Sequence, residues 1–449
     1  MENLINNLSF GKDAAEHEAN LEEFFLKTPI FNELLSGQRT LVVGKKGSGK
    51  SAIFKMLSKK VKDNRIFLPI TEIQGELEHR VIFNGFTQEP RNIDEIREAW
   101  KRFIGIKLVK EIIDNSALFS LGGAESELLT TMLQEAGAIA QPPSRNPQET
   151  AQRLEQSILN PMDYSKLFKG INDFAQQRSI EIYILIDRLD EILINEAVTR
   201  DVIDGLIVAT ADLTKYNNIK LILFLREDAY AKIQTHTVSH MHSSKWVLSW
   251  SEDEIIQFLA KRIAYSLKRQ MNFMNLEDCK TLIFSVFEKT IWNSRVKDSI
   301  RWLMAKIIDG SESFNPRDFI LFGNMAKDEQ LRKSHKVDNA LISSRAMTDA
   351  YGEFAKTKLE DYKRVYPNLA EYTEKFSTTD SYGKFRREEL SSILGIDESK
   401  VKEVTQQLVD SGFLTPDNRR YIHLAESFEI PPLYMTSLGL RSSGPRAIK

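Results

Sequence analysis

The chain has 449 residues, enough for two to four domains. Hydrophobic residues make up 42% and charged residues 28%, the balance of an ordinary globular protein, and the net charge of −2 means that any nucleic-acid contact must come from a local patch. No apolar run reaches the length of a membrane span, the opening Met1-Glu2-Asn3-Leu4 lacks the basic and apolar regions of a secretory signal, and the single cysteine, Cys279, reads as a structural thiol; together these fit a cytoplasmic location.

The first segment, to about Gln38, reads as helical and acidic, with Glu16, Glu18, Glu22 and Glu23 close together. Arg39 to Val43 predicts a strand. The next eight residues, Gly44 to Ser51, spell Gly-Lys-Lys-Gly-Ser-Gly-Lys-Ser, the G-x-x-x-x-G-K-S pattern of a phosphate-binding P-loop. Glycines there let backbone N–H groups converge on an anion, and the helix that follows points its positive dipole end at the same ligand. The candidate nucleotide contacts are therefore Gly44, Lys45, Lys46, Gly47, Ser48, Gly49, Lys50, Ser51 and Ala52. Lys50 would reach the β- and γ-phosphates of ATP, and the Ser51 hydroxyl would hold Mg2+.

Ser51 to Val61 predicts a helix, Arg65 to Ile70 a second strand, and Ile93 to Ile113 a long helix capped by Asn92 with Glu95. Residues 115–165 carry Gly122-Gly123 and Pro142-Pro143 among polar helix formers and read as a helical insertion. Ile180 to Ile186 is an apolar run of the kind buried in a parallel sheet, and it ends in Asp187. An acid at that point is placed to hold Mg2+ opposite the P-loop. Arg188-Leu189-Asp190-Glu191 follows, and a carboxylate here can polarise an attacking water: Glu191 is the first choice and Asp190 the second. Both acids also suit a helix start, where they favour the dipole.

A helix to Leu213 leads to another buried strand, Ile219 to Leu225, followed by Arg226-Glu227-Asp228. Arg226 is placed either to sense a γ-phosphate, whose geometry a guanidinium matches, or to pair with an acid such as Asp190. Strands alternating with helices predict a doubly wound parallel sheet, with ligands bound at the carboxyl ends of its strands. His236, His240 and His242 have zinc-ligand chemistry, but without Cys or a helical i, i+4 pair flanked by Glu they read better as a polar loop.

From Trp246 onward the pattern is almost wholly helical. Asn315-Pro316-Arg317 is a helix start, with Asn as cap and Pro at the first position. Near the C-terminus, Arg387 to Leu394 and Glu398 to Ser411 predict two helices, and Phe413 to Thr415 with Arg420 to Leu424 predict a hairpin. That is a winged-helix order. Residues 381–449 hold ten Lys/Arg and nine Asp/Glu, so a duplex contact would rest on a rim of Arg386, Arg387, Arg419 and Arg420. Self-association, or docking onto the rest of the chain, is the other use of such an element.

With these motifs in order, the chain resembles a bacterial P-loop ATPase of the origin-recognition/Cdc6-like kind, on the border of the AAA+ and STAND classes. The resemblance takes in Phe10-Gly11-Lys12-Asp13-Ala14, the stretch Val43 to Phe54, and Ile430-Pro431-Pro432-Leu433-Tyr434. It implies an α/β fold: a P-loop NTPase core with a parallel sheet, followed by a helical lid and a C-terminal winged-helix domain. The expected layout is a helical leader over 1–35, the core over 36–245 with its insertion at 115–165, the lid over 246–335, and a helical connector with the winged helix over 336–449. In lids of this superfamily an arginine placed like Arg317 closes over the γ-phosphate. The family usually has Asp-Glu where this chain has Asp187-Arg188. The Asp-x-Leu-Asp-Glu spacing instead is similar to the NACHT group of STAND switches, which implies slow hydrolysis or a nucleotide-held switch. The resemblance implies ATP and Mg2+ as cofactors. Its implied partners are duplex DNA through the winged helix, a protein, or further copies of the chain, and no membrane.

Overall fold

A computed structural model describes residues 5–12, 14–58, 60–69, 92–115, 119, 164–187, 196–269, 275–333, 341–379 and 382–440. The chain divides into two compact units, Lys27–Leu248 and Met1–Leu26 with Ser249–Lys449. No helix among the described residues is long and apolar enough to cross a membrane. Most of the insertion read over 115–165 lies outside the described residues.

The first unit is built on a six-stranded sheet: β1 (Leu41–Gly44), β2 (Val61–Lys62), β3 (Arg65–Pro69), β4 (Glu181–Ile186), β5 (Ile219–Arg226) and β6 (Lys245–Val247). Their order is β2-β3-β4-β5-β1-β6, and every neighbouring pair is parallel except β2 with β3. The α/β expectation therefore holds. The helices are α1 (Pro29–Leu35), α2 (Lys50–Leu57), α3 (Ile93–Asp114), α4 (Ser165–Gln177), α5 (Glu196–Leu213) and the short α6 (Glu227–Ala231).

The central strands are apolar throughout because both faces of the sheet are covered. On one face Ile182, Ile184 and Ile186 share a core with Leu221, Leu223 and Leu225, and with Trp100, Ile104 and Leu108 of α3. On the other, the Phe54 ring of α2 meets Phe224 edge-on at 5.9 Å, and Tyr183 stacks on Phe67 at 5.0 Å. At the starts of the strands, Glu181 takes Arg65 at 3.0 Å and Lys220 at 2.9 Å. Burial alone would raise this carboxyl, but the Lys220 hydrogen bond and the two cations hold it below the ordinary carboxylate value.

Two strands escape the sequence reading. The helix predicted to Val61 ends at Leu57, so that Val61–Lys62 can pair with β3; β6 adds an edge to β1 where only helix was expected.

The second unit is mainly helical: α7 (Glu252–Ser266), α8 (Leu276–Phe284), α9 (Ser299–Ile307), α10 (Pro316–Lys333), α11 (Ser344–Val365) and α12 (Pro367–Lys375). Ser251 and Glu254 form a capping box on α7, and Asn275, Asp298 and Ser343 cap α8, α9 and α11. The leader packs onto these helices. Phe10 is fully buried, its ring over Gly323 and 5.5 Å from that of Phe287. Asn324 donates to the Gly11 carbonyl at 3.0 Å, and Lys327 to the Leu8 carbonyl at 2.8 Å.

The C-terminal part holds β7 (Lys384–Arg386), α13 (Leu390–Leu394), α14 (Glu398–Asp410), β8 (Thr415–Pro416), β9 (Ser427–Glu429) and α15 (Pro432–Met435). The three strands form an antiparallel sheet in the order β7-β9-β8. The hairpin partner is thus Ser427–Glu429. Within the predicted strand Arg420 to Leu424, residues Ile422–Leu424 form a 3-10 turn whose polar and apolar side chains are largely exposed.

The loop before α10 is stitched to this sheet. Gly310 N donates to the Gly412 carbonyl at 2.7 Å, and Thr415 Oγ1 to the Gly310 carbonyl at 3.2 Å. A Cβ on Gly310 would lie 2.6 Å from the Gly412 oxygen and 2.8 Å from that of Leu414, both backbone atoms with little room to yield. Gly310→Ala is expected to destabilise the protein by about 1–3 kcal/mol in denaturant unfolding. Unchanged stability would show that this junction gives way freely.

Candidate functional site

β1 ends on Gly44 and α2 begins at Lys50, so the intervening loop must reverse direction within five residues. It does so through two left-handed glycines, Gly47 at φ +84° and Gly49 at φ +102°, where a Cβ would be strained. Gly49 is also the N-cap residue of α2. It has no side chain to cap the helix, and a helix N-terminus of this kind suits an anionic ligand. Gly44 is needed for a different reason: a Cβ there would lie 2.6 Å from Ser48 Oγ and 3.1 Å from Leu248 Cβ. Leu248 is fixed beside the loop by its N–H, which donates to the Val43 carbonyl at 2.7 Å.

Lys50 is buried. Its ammonium donates to the carbonyls of Gly44 at 2.7 Å and Lys45 at 2.9 Å, folded back over the loop. Ser51 follows in the first turn of α2 and is partly exposed.

Strand order brings the other groups to the same end of the sheet. β5 lies between β1 and β4, with Gly44 paired to Arg226 and Ile186 to Leu223. Asp187 leaves β4 level with Phe224 and is buried at 4% exposure. Two interstrand spacings, roughly 10 Å, separate its strand from β1. Continuing the alternation of the strands puts Asp187, Arg226 and Gly44 on the face that carries α2.

Arg226 forks onto Asp228, with Nε–Oδ1 at 3.0 Å and Nη2–Oδ2 at 2.7 Å. Acid pairing is thus present, through the carboxylate two residues on. Asp190 and Glu191 lie outside the described residues. Arg317 belongs to the second unit, in the first turn of α10, where its N–H donates to Asn315 Oδ1 at 3.1 Å. The next residue, Asp318, is buried and pairs with Lys358 at 2.9 Å; burial raises its carboxyl and Lys358 opposes the rise.

The donor chemistry fits a hard cation. The Ser51 hydroxyl and the Asp187 carboxylate are both oxygen ligands, the type Mg2+ takes with phosphate oxygens. His236 and His242 fall on one irregular 3-10 stretch, His236–Ser244, and among the described residues no group of three or more His, Cys, Asp or Glu comes together.

Sequence reasoning missed the backing of Gly44 by Leu248, because the β1–β6 pairing joins residues about two hundred positions apart. It also missed the local partners of the arginine rim. Arg387 donates to the carbonyls of Ala425 at 2.7 Å and Ile422, and lies over the Phe428 ring, so it closes the loop between β8 and β9. Arg419 pairs with Glu312 at 2.7 Å. Arg386 lies 3.5 Å from Glu388 and Arg420 over the Tyr421 ring, and all four arginines are exposed.

No family model matches the chain. Three solved structures are similar to it. Cdc6p of Pyrobaculum aerophilum has 12% identity and a TM-score of 0.34, covering 95% of this chain and 97% of its own. The Aeropyrum pernix ORC1 protein, solved in complex with DNA, has 11% identity and a TM-score of 0.39, covering 95% and 96%. The Aeropyrum pernix ORC2 protein, solved as ADPNP–ADP complexes, has 11% identity and a TM-score of 0.39, covering 90% and 89%. Among curated proteins, the transposon gamma-delta 80.3 kDa protein of Escherichia coli (strain K12) is 21% identical over 400 residues, which is 83% of this chain and 54% of that one. The chain therefore spans about half the length of the curated relative it matches.

Proposed function

We propose that the chain is an ATP-binding molecular switch that hydrolyses ATP slowly and acts on DNA or on a partner protein. The observation that carries this reading is the buried Lys50 ammonium, folded over a loop with two left-handed glycines, at the same sheet end as the buried Asp187.

The residues divide the work. Backbone N–H groups of Gly47 to Ser51 receive phosphate oxygens, and Lys50 adds charge at the β- and γ-phosphates. Ser51 and Asp187 would hold Mg2+, which when bound offsets phosphate charge. Arg226 senses the γ-phosphate by trading its fork on Asp228 for phosphate oxygens, a swap between two bidentate partners. Glu191, or else Asp190, orients the attacking water and accepts its proton. Arg317 would be a further γ-phosphate sensor, as the resemblance implies.

Phosphate release tests the hydrolytic half. Glu191→Gln should keep nucleotide affinity and slow turnover by about 10²–10⁴-fold. If Glu191→Gln turns over normally while Asp190→Asn stops, the base is Asp190. If purified wild-type protein binds ATP and releases no phosphate, the chain is a nucleotide-held regulator or adaptor.

For the second half, α13, α14 and the three-stranded sheet support a winged helix, with Arg386 and Arg420 the phosphate contacts. Duplex affinity should then fall with salt, and Arg386→Ala with Arg420→Ala should flatten the log–log slope by roughly 2 × 0.9. An unchanged slope would move the contact off the wing, and no duplex binding at low salt would favour a protein partner or further copies of the chain.

A further inference from the structure

Trp292 is the most exposed of the large hydrophobic side chains among the described residues, at 66%. It sits on a short excursion between α8 and α9 that is held by its own hydrogen bonds. Thr290 and Asp298 form an antiparallel bridge, Ile291 N donates to the Lys297 carbonyl at 2.7 Å, and Ser299 N donates to the Lys289 carbonyl at 2.9 Å. Ile291 is fully buried beneath the tip, and Trp292 N donates to Ser344 Oγ at 3.1 Å. The indole N–H is already used: it donates to Glu288 Oε1 at 2.7 Å. What remains to solvent is a fixed aromatic face with no polar group seeking a partner.

Four exposed cations share this excursion and the first turn of α9: Lys289, Arg295, Lys297 and Arg301. Lys297 Nζ donates to the Trp292 carbonyl at 2.7 Å, which holds one of these cations beside the ring, and the stretch carries two acids against the four cations. Glu288 accepts from the indole and from Ser344 N at 2.6 Å, and Asp298 caps α9 by accepting from Arg301 N at 3.0 Å. The stretch is therefore basic around a presented ring. An aromatic face with neighbouring cations matches one ligand chemistry well, a base stacked on the ring with phosphates on either side. A duplex keeps its bases stacked inside, so the ring selects a strand whose bases are free.

We infer that the Trp292 loop is a contact site for single-stranded nucleic acid, separate from the wing. This goes beyond the proposed switch and does not depend on it. The test uses the full chain and a fluorescein-labelled oligo-dT of twenty nucleotides at low salt, read by anisotropy and by quenching of tryptophan emission. Trp292→Ala should weaken binding about tenfold or more, since stacking on one aromatic is worth that much. Trp292→Phe should retain most of the affinity while losing the emission change assigned to Trp292. Lys297→Glu with Arg301→Glu should also weaken binding and flatten its salt dependence. Arg386→Ala with Arg420→Ala should lower duplex affinity more than single-strand affinity, and Trp292→Ala the reverse, which separates this site from the wing. Single-strand affinity equal in Trp292→Ala and wild type, with matched melting temperatures, would overturn the inference. So would the absence of oligo-dT binding by the wild-type chain, in which case the exposed ring is left to a protein surface.

Discussion

Lys50→Ala is expected to lower ATP affinity by about two orders of magnitude while leaving the fold intact. The ammonium is buried, and its carbonyl partners, Gly44 at 2.7 Å and Lys45 at 2.9 Å, are neutral and lie within the loop itself. A charged hydrogen bond to phosphate is worth ~1.5–3 kcal/mol, and each ~1.4 kcal/mol is tenfold in binding. The strand before the loop does not depend on the lysine for its place, since β1 is paired on both sides by β5 and β6. Thermal unfolding without nucleotide should therefore change little, and the thermal shift given by Mg-ATP should disappear. A variant that keeps its full ATP-induced shift would remove Lys50 from the site.

Arg262→Ala is expected to destabilise the protein by about 3–5 kcal/mol, the range for breaking a buried ion pair from one side. Arg262 is 6% exposed and joins the leader to α7. Its Nη1 donates to the Phe10 carbonyl at 2.6 Å and meets Glu18 at 3.3 Å, and its guanidinium lies 4.5 Å from the Phe24 ring centre and 4.8 Å from that of Phe258. Burial pulls its pKa down and Glu18 opposes the fall, so the two groups depend on each other. Alanine would leave the buried Glu18 carboxylate and the Phe10 carbonyl without this donor. Denaturant unfolding reads the stability, and protease cleavage within residues 5–26 reads release of the leader. Arg262→Lys should recover only part of the loss, because an ammonium cannot span a carbonyl, a carboxylate and two ring faces at once. A variant as stable and protease-resistant as wild type would show that Phe10, Asn324 and Lys327 suffice to anchor the leader.

The parts of the fold legible in the sequence are those whose signal is local. β1, β4 and β5 are continuous apolar runs, and the P-loop glycines sit where the backbone must turn left-handed. The long α3 repeats its apolar residues at helical spacing and begins at its capping Asn92, as expected. The elements that escaped are short and depend on distant partners. Lys245–Val247 is a half-exposed triplet that becomes a strand only because β1 offers an edge. Ser427–Glu429 buries only Phe428 and is chosen over the more extended-looking Arg420 to Leu424 by its fit between β7 and β8.

The site shows the same division. Gly44 to Ser51 and Asp187 could be named from the chain because strand ends carry the chemistry in a parallel sheet. The fork of Arg226 on Asp228 could not, because several acids stand close to it in the sequence and only geometry shows that Asp228 takes it. The local partners of two rim arginines escaped for a similar reason. Charge composition counts Arg387 and Arg419 as free, whereas local carbonyls and Glu312 engage them.

Calorimetric titration of Mg-ATP into the purified full chain tests the central claim most directly. The account predicts a saturable heat with one nucleotide bound per chain, lost in Lys50→Ala and weakened when Mg2+ is withheld. Folded protein that gives no heat with Mg-ATP would contradict it.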